Sequence, residues 1–183
     1  MRIGIPKEVK VREGRVALIP SAVSELVRHG HEVFIQSNAG VASGYPDADY
    51  QSAGAQIAPD AAALYGGVQM VLKVKEPITS EYPLLRKDHI LFSYLHLAAL
   101  PKLAQTLKEK GLTAVAFETV EANGKLPLLA PMSDIAGRLS VHIGTTLLHG
   151  HAGGRGVMLG GLPSTERGHV VILGAGVAGG NAA

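Results

Sequence analysis

The chain has 183 residues, 46% of them hydrophobic, and a formal charge of +2 from 17 basic and 15 acidic residues. That is apolar enough to bury a globular core, and without a run of like charge nothing in it asks for a nucleic-acid or charged-membrane partner. Having no cysteine, it excludes a disulfide framework, a thiolate nucleophile and a cysteine zinc site.

The opening, Met1 to Lys7, reads as a short strand followed by charges and lacks the apolar stretch of a signal peptide, so a cytoplasmic protein is expected. Arg2 to Ile5 is the first predicted strand, and Lys7 to Arg15 is a polar loop after it. Pro20 and Ser21 start a helix with Val23, Leu26 and Val27 on its buried face, and Gly30 ends it. Glu32 to Gln36, Gln69 to Val74, Ile90 to Tyr94 and Thr113 to Ala116 follow as strands, with a helix from Leu100 to Lys110 closed by Gly111. Ile90 to Leu100 is the most apolar stretch, but it falls short of the roughly 20 residues of a membrane span. Val- and Ile-rich runs alternating with helices closed by Gly or Pro predict an α/β domain with a mostly parallel, Rossmann-like sheet over residues 1–128.

After Pro127 the pattern changes. Pro131, Ser133 and Asp134 start a long helix that leaves the first domain, with Ile135, Leu139, His142, Ile143, Thr146 and Leu147 on one face. Gly150 to Gly161 reads as a hairpin or loop. His149 and His151 are too few ligands for a metal, and no metal is expected. His169 to Leu173 is then a buried-type strand running into Gly174-Ala175-Gly176-Val177-Ala178-Gly179 and a helix start. This is the strand, G-x-G-x-x-G, helix order of a dinucleotide-binding turn. Its glycines serve the tight turn, the approach of a pyrophosphate and close helix packing, with the phosphates at the helix N-terminus. Residues 129–183 are therefore read as an inter-domain helix plus the first strand-turn-helix of a truncated Rossmann domain. The ribose-binding acidic residue, about 20 positions further on, lies beyond the chain. With no partner strands, His169 to Leu173 is expected to be disordered, swapped or prone to aggregate.

Hydride chemistry on an amino or hydroxy acid needs a cationic clamp for the carboxylate and a group that manages a proton. Arg15 lies in the polar loop before the first helix, while Lys75 and His96 follow predicted strands, at the carboxyl ends where parallel sheets bind ligands, and so could face one crevice. Each also fits a plainer reading: a solvated loop charge, a surface charge at a strand end, a satisfied core histidine. From these residues alone both readings stand.

Six segments together resemble the alanine dehydrogenase family over essentially the whole chain. They are Met1 to Glu8, Arg15 to Leu18, Leu72 to Pro77, Leu95 to Ala99, Leu128 to Ser133 and Gly174 to Ala183. The resemblance implies reversible NAD-dependent oxidative deamination of L-alanine to pyruvate and ammonia in soluble homo-hexamers. It implies Arg15 and Lys75 as carboxylate ligands and His96 as the catalytic acid-base. Ser133 or Asp134 would contact the nicotinamide cofactor, and Gly174, Gly176, Ala178 and Gly179 would line its pyrophosphate. The family continues for about as many residues again, so the 183-residue chain is expected to hold substrate-site geometry without turnover. The nearest alternative, the nucleotide-binding domain of proton-translocating transhydrogenase, lacks the Leu95-His96-Leu97 motif. A non-catalytic oligomerising remnant is the other.

Overall fold

The computed structural model describes every residue, Met1 to Ala183. The chain forms two compact units, Met1–Val120 and Glu121–Ala183.

The strands of the first unit are β1 (Arg2–Ile5), β2 (Glu32–Gln36), β3 (Gln56–Ala58), β4 (Met70–Leu72), β5 (Ile90–Ser93) and β6 (Thr113–Ala116). They form one parallel sheet in the order β3-β2-β1-β4-β5-β6. Parallel neighbours require crossovers, and the helices among these are α1 (Pro20–Arg28), α2 (Asp47–Ser52), α3 (Ala61–Gly67) and α4 (Pro101–Lys110). Local chemistry sets their ends. Proline opens α1 and α4, where its missing N–H costs nothing. The Asp60 side chain accepts the Ala63 N–H at 2.8 Å to cap α3. Gly111, at φ +68°, closes α4.

Two apolar clusters sandwich this sheet. Ile5, Val23, Val33, Ile35 and Tyr50 centre one, and Leu64, Tyr65, Val71, Leu91, Leu103 and Leu107 centre the other. The alternation of a strand explains the split: Val33 and Ile35 join the first cluster while Phe34 packs on the second. Gly4 lets α3 approach closely, since a Cβ there would lie 2.9 Å from Leu64 and Val68 side-chain atoms. β3, α2 and α3 extend the fold beyond the predicted elements, and β4 is shorter than the predicted Gln69 to Val74.

In the second unit, α5 (Ala130–Leu148) is the long helix and α6 (Val177–Ala182) follows the glycine turn. Gly137 is where they touch: a Cβ on it would lie 2.2 Å from the Ala178 carbonyl oxygen. The apolar row Ile135, Leu139, Ile143, Leu147 is on the exposed side of α5. Gly150–Ala152 is a 3-10 turn, and Leu162 bridges Thr165 in a tight antiparallel turn. His169 to Leu173 is not a strand, contrary to the sequence reading. A strand exists through its ladder of inter-strand hydrogen bonds; no segment pairs with this one, and Leu173 is 94% exposed. No helix is long and apolar enough to cross a membrane.

Candidate active site

In the first unit the order of the strands changes direction between β1 and β4. At such a switch point the connections leave to opposite sides, opening a crevice at the carboxyl ends of the strands. Arg15 is on the loop that follows β1, while Lys75 and His96 each stand three residues beyond the ends of β4 and β5. The sheet thus brings all three sequence-predicted residues to one edge.

The Lys75 turn is pinned from the β1 loop. Glu8 Oε1 accepts the Val74 N–H at 2.6 Å and, weakly, the Lys75 N–H at 3.4 Å. Behind it the Lys73 ammonium, 1% exposed, lies 2.5 Å from Glu81 Oε1 and 3.5 Å from Glu8 Oε2. Glu81 also accepts the Tyr65 hydroxyl at 3.0 Å and the Ile78 N–H at 2.9 Å. Burial pushes the Glu8 carboxyl above its ordinary pKa, against the pull of Lys73 and the Val74 N–H. Lys75 itself enters none of the ion pairs at this edge.

Arg15 donates from Nε and Nη2 to Glu13 at 2.8 and 2.6 Å. That contact holds the Glu13 carboxyl below its ordinary pKa, with Lys75 acting in the same direction. The same contact raises Arg15, to which Tyr94 and Glu8 also add. Arg15, Lys75 and Tyr94 therefore share one electrostatic neighbourhood. A cleft of 200 Å³ beside Arg15 is lined by Lys7, Glu8, Glu13, Asn38 and Ala39.

His96 carries the strain. Its φ of +49° is left-handed, which costs an L-residue about 1–2 kcal/mol. Nδ1 pairs with Glu76 Oε2 at 3.2 Å, and Glu76 also binds the Lys10 ammonium. Burial alone would raise Glu76, but Lys10, aided by His96, outweighs it and holds the carboxyl below its ordinary value. An ionised carboxylate on Nδ1 selects the tautomer protonated there, leaving Nε2 for proton transfer. From the 3-10 turn Phe117–Thr119, Glu118 accepts the His96 N–H at 2.6 Å and the Leu95 N–H at 3.2 Å. The Phe117 ring meets Phe92 and Tyr94 edge-on, with centroids 4.4 and 5.1 Å away, and Tyr94 stacks on His96. A cleft of 500 Å³ runs past His96 and Glu118, walled by Leu95, Leu97, Ala114 and Ala116.

The predicted cofactor residues all belong to the second unit. Gly174 has φ +105°, and a Cβ on Gly179 would lie 2.0 Å from the Gly174 carbonyl oxygen. Only glycine fits either place. A Cβ on Gly176 would meet nothing within 4 Å, so the backbone is open there to an incoming group, as a pyrophosphate needs. Ala178 lies within α6. Asp134 Oδ1 accepts from Asn181 Nδ2 at 2.6 Å, tying α5 to that helix. Ser133 lies next to it in the first turn of α5. The His149 and His151 rings are 5.4 Å apart, and no group of three His, Cys, Asp or Glu residues that could hold a metal ion is present.

Sequence reasoning passed over Glu8, Lys73, Glu76 and Glu118, because an isolated charge usually reads as solvated surface. For Lys73 a signal existed: it sits inside Met-Val-Leu-Lys-Val, where a charge has no obvious route to water. Glu118 offered none.

Comparison with known proteins identifies what the chain as a whole is similar to. The family model described as alanine dehydrogenase/PNT, N-terminal domain, matches residues 4–136, and the corresponding C-terminal domain model matches residues 140–183. Alanine dehydrogenase of Bacillus subtilis (strain 168) is 51% identical over 183 residues, covering 100% of this chain and 48% of the relative. That of Mycobacterium tuberculosis (strain ATCC 25618 / H37Rv) is 51% identical over 184 residues, covering 100% and 50%. A solved L-alanine dehydrogenase superposes with a TM-score of 0.92 at 55% identity, over 100% of this chain and 50% of that one. A transhydrogenase from Sinorhizobium meliloti superposes with a TM-score of 0.80 at 26% identity, over 100% and 52%. The chain spans about half the length of the curated relatives it matches.

Proposed function

The chain belongs to the alanine dehydrogenase/PNT family, and from that premise we propose that it serves the reversible oxidative deamination of L-alanine to pyruvate and ammonia with NAD. The observation that carries this reading is the gathering of Arg15, Lys75 and His96 at the carboxyl edge of the sheet. Two cations suit a carboxylate, and a histidine oriented by Glu76 suits a proton transfer at the substrate's α-heteroatom. Arg15 would exchange part of its contact with Glu13 for the substrate carboxylate, and Lys75 would hold the same group as a point charge. His96 would take a proton through Nε2 in the oxidative direction and return it in the reverse. A bound nicotinamide supplies the hydride acceptor. Gly174, Gly176, Ala178 and Gly179 would hold its pyrophosphate, with Ser133 and Asp134 on the nicotinamide side.

We place the protein in the cytoplasm, working as a homo-oligomer. The Nδ1 contact of His96 with Glu76 favours the dehydrogenase over a transhydrogenase, because exchange of hydride between two nucleotides gives an oriented imidazole no proton to move. Titration calorimetry with pyruvate tests the reading. Binding should weaken about 10- to 100-fold in Arg15→Ala, the scale of hydrogen bonds to a charged group. Pyruvate bound equally well by the variant would refute the assignment.

A further inference from the structure

The geometry points to Glu118 as a positioning residue for His96: its carboxylate fixes the backbone of Leu95 and His96 so that the imidazole reaches Glu76. This rests on the acid-base reading of His96 given above.

Three observations converge on it. First, His96 is held at φ +49°, a conformation an L-residue leaves unless its surroundings prevent it. Second, one carboxylate spans two consecutive N–H groups, with His96 at 2.6 Å and Leu95 at 3.2 Å from each oxygen. Leu95 is fully buried, so its N–H has no water to turn to. Third, Glu118 is itself fixed, because the neighbouring Phe117 is seated against Phe92 and Tyr94. Relaxing φ at His96 would swing its Cβ, and with it Nδ1, away from the 3.2 Å contact with Glu76. Glu76 orients the ring through Nδ1; Glu118 sets the backbone from which the ring starts. The molecule repeats the device at Lys75, one of the predicted carboxylate ligands, where Glu8 holds the Val74 and Lys75 N–H groups.

Nuclear magnetic resonance on the 183-residue chain tests this through two readings, amide hydrogen exchange and the ring nitrogen shifts that report the His96 tautomer. In Glu118→Ala the Leu95 and His96 amides should exchange at least tenfold faster, and the ring should pass from the Nδ1-protonated tautomer to a mixture. Glu118→Gln keeps one oxygen acceptor and should restore part of the protection. Glu109→Ala, an exposed substitution on α4, should change neither reading. Amides that stay equally protected, or an unchanged tautomer, in Glu118→Ala would overturn the proposal. Should that variant lose the amide pattern of the sheet, Glu118→Gln decides by the same readings: partial loss of both supports the proposal, and full retention of either overturns it. Pyruvate separates the underlying reading. A wild-type His96 ring that responds to pyruvate supports the acid-base role. A ring blind to pyruvate, with the exchange and tautomer effects intact, removes that role and leaves Glu118 as the holder of the turn.

Discussion

The carboxyl edge of the sheet and the glycine turn are built on opposite principles. The candidate residues at the sheet edge are ionisable side chains, each braced by a carboxylate: Glu8 from the β1 loop at the Lys75 turn, Glu13 from Arg15's own loop, Glu76 and Glu118 on His96. The turn from Gly174 to Gly179 has only small apolar side chains, and its shape is set by what glycine permits. One region is vulnerable where a charge loses its partner; the other has no charges to lose and is vulnerable where a methyl group is added. The lesson is that two regions of one chain can be disrupted through different physics.

The largest expected effect sharpens this contrast. Lys73→Ala leaves the Glu81 and Glu8 carboxylates facing an apolar interior, which should cost about 3–5 kcal/mol in urea unfolding of the first unit. The triple change Lys73→Met, Glu8→Gln, Glu81→Gln removes every bare charge and should recover most of it. If Lys73→Ala unfolds like the wild type, the buried cluster does not hold this edge. Next in size is Gly179→Ala, whose Cβ meets the Gly174 carbonyl. Overpacking there should cost about 1–3 kcal/mol, confined to the second unit. Gly176→Ala has open space and should leave stability unchanged, yet both variants should lose NAD binding by calorimetric titration. Retained NAD affinity in both would break the dinucleotide reading of the turn.

How much of this was legible depends on what each element is made of. β1, β2 and β6 were readable to the residue, and β5 to within one, because each is a short apolar run bounded by a turn residue or a charge, with alternating burial in β2 and β5. β3 was not: it is three residues long at the sheet edge, with only Ala58 buried, so no period can show. α3 is short and ends in two glycines, and only its cap at Asp60 marks it. The order of strands, which creates the switch point, is invisible to any local pattern. Lys75 and His96 could be named because they follow strands, and Arg15 because it is a cation in a polar loop ahead of the first helix. The carboxylates that position them could not, since pairing across 66 residues, as between Glu8 and Val74, leaves no local trace. His169 to Leu173 shows the reverse error: a run with strand composition forms no strand without a neighbour to pair with.

The smallest effect concerns a buried histidine that serves the sheet, away from the predicted chemistry. His89 accepts the Arg86 N–H at Nδ1, at 3.1 Å, and donates from Nε2 to the Tyr65 carbonyl at 3.0 Å. It is therefore neutral, and burial, reinforced by the charge of Arg86, holds its pKa below the ordinary histidine value. In the window between that lowered value and about 6.5, the unfolded chain binds the proton and the folded chain does not. Stability is thus intact above about pH 6.5 and falls as the pH drops through the window. One proton is at stake, so the slope cannot exceed about 1.4 kcal/mol per pH unit. Urea midpoints of the first unit between pH 7.5 and 5.5 should show this fall, and His89→Gln should flatten it. The second unit has no buried histidine, so the same slope measured there, or a slope that survives His89→Gln, would separate the pH response from His89 and remove this difference between the two regions.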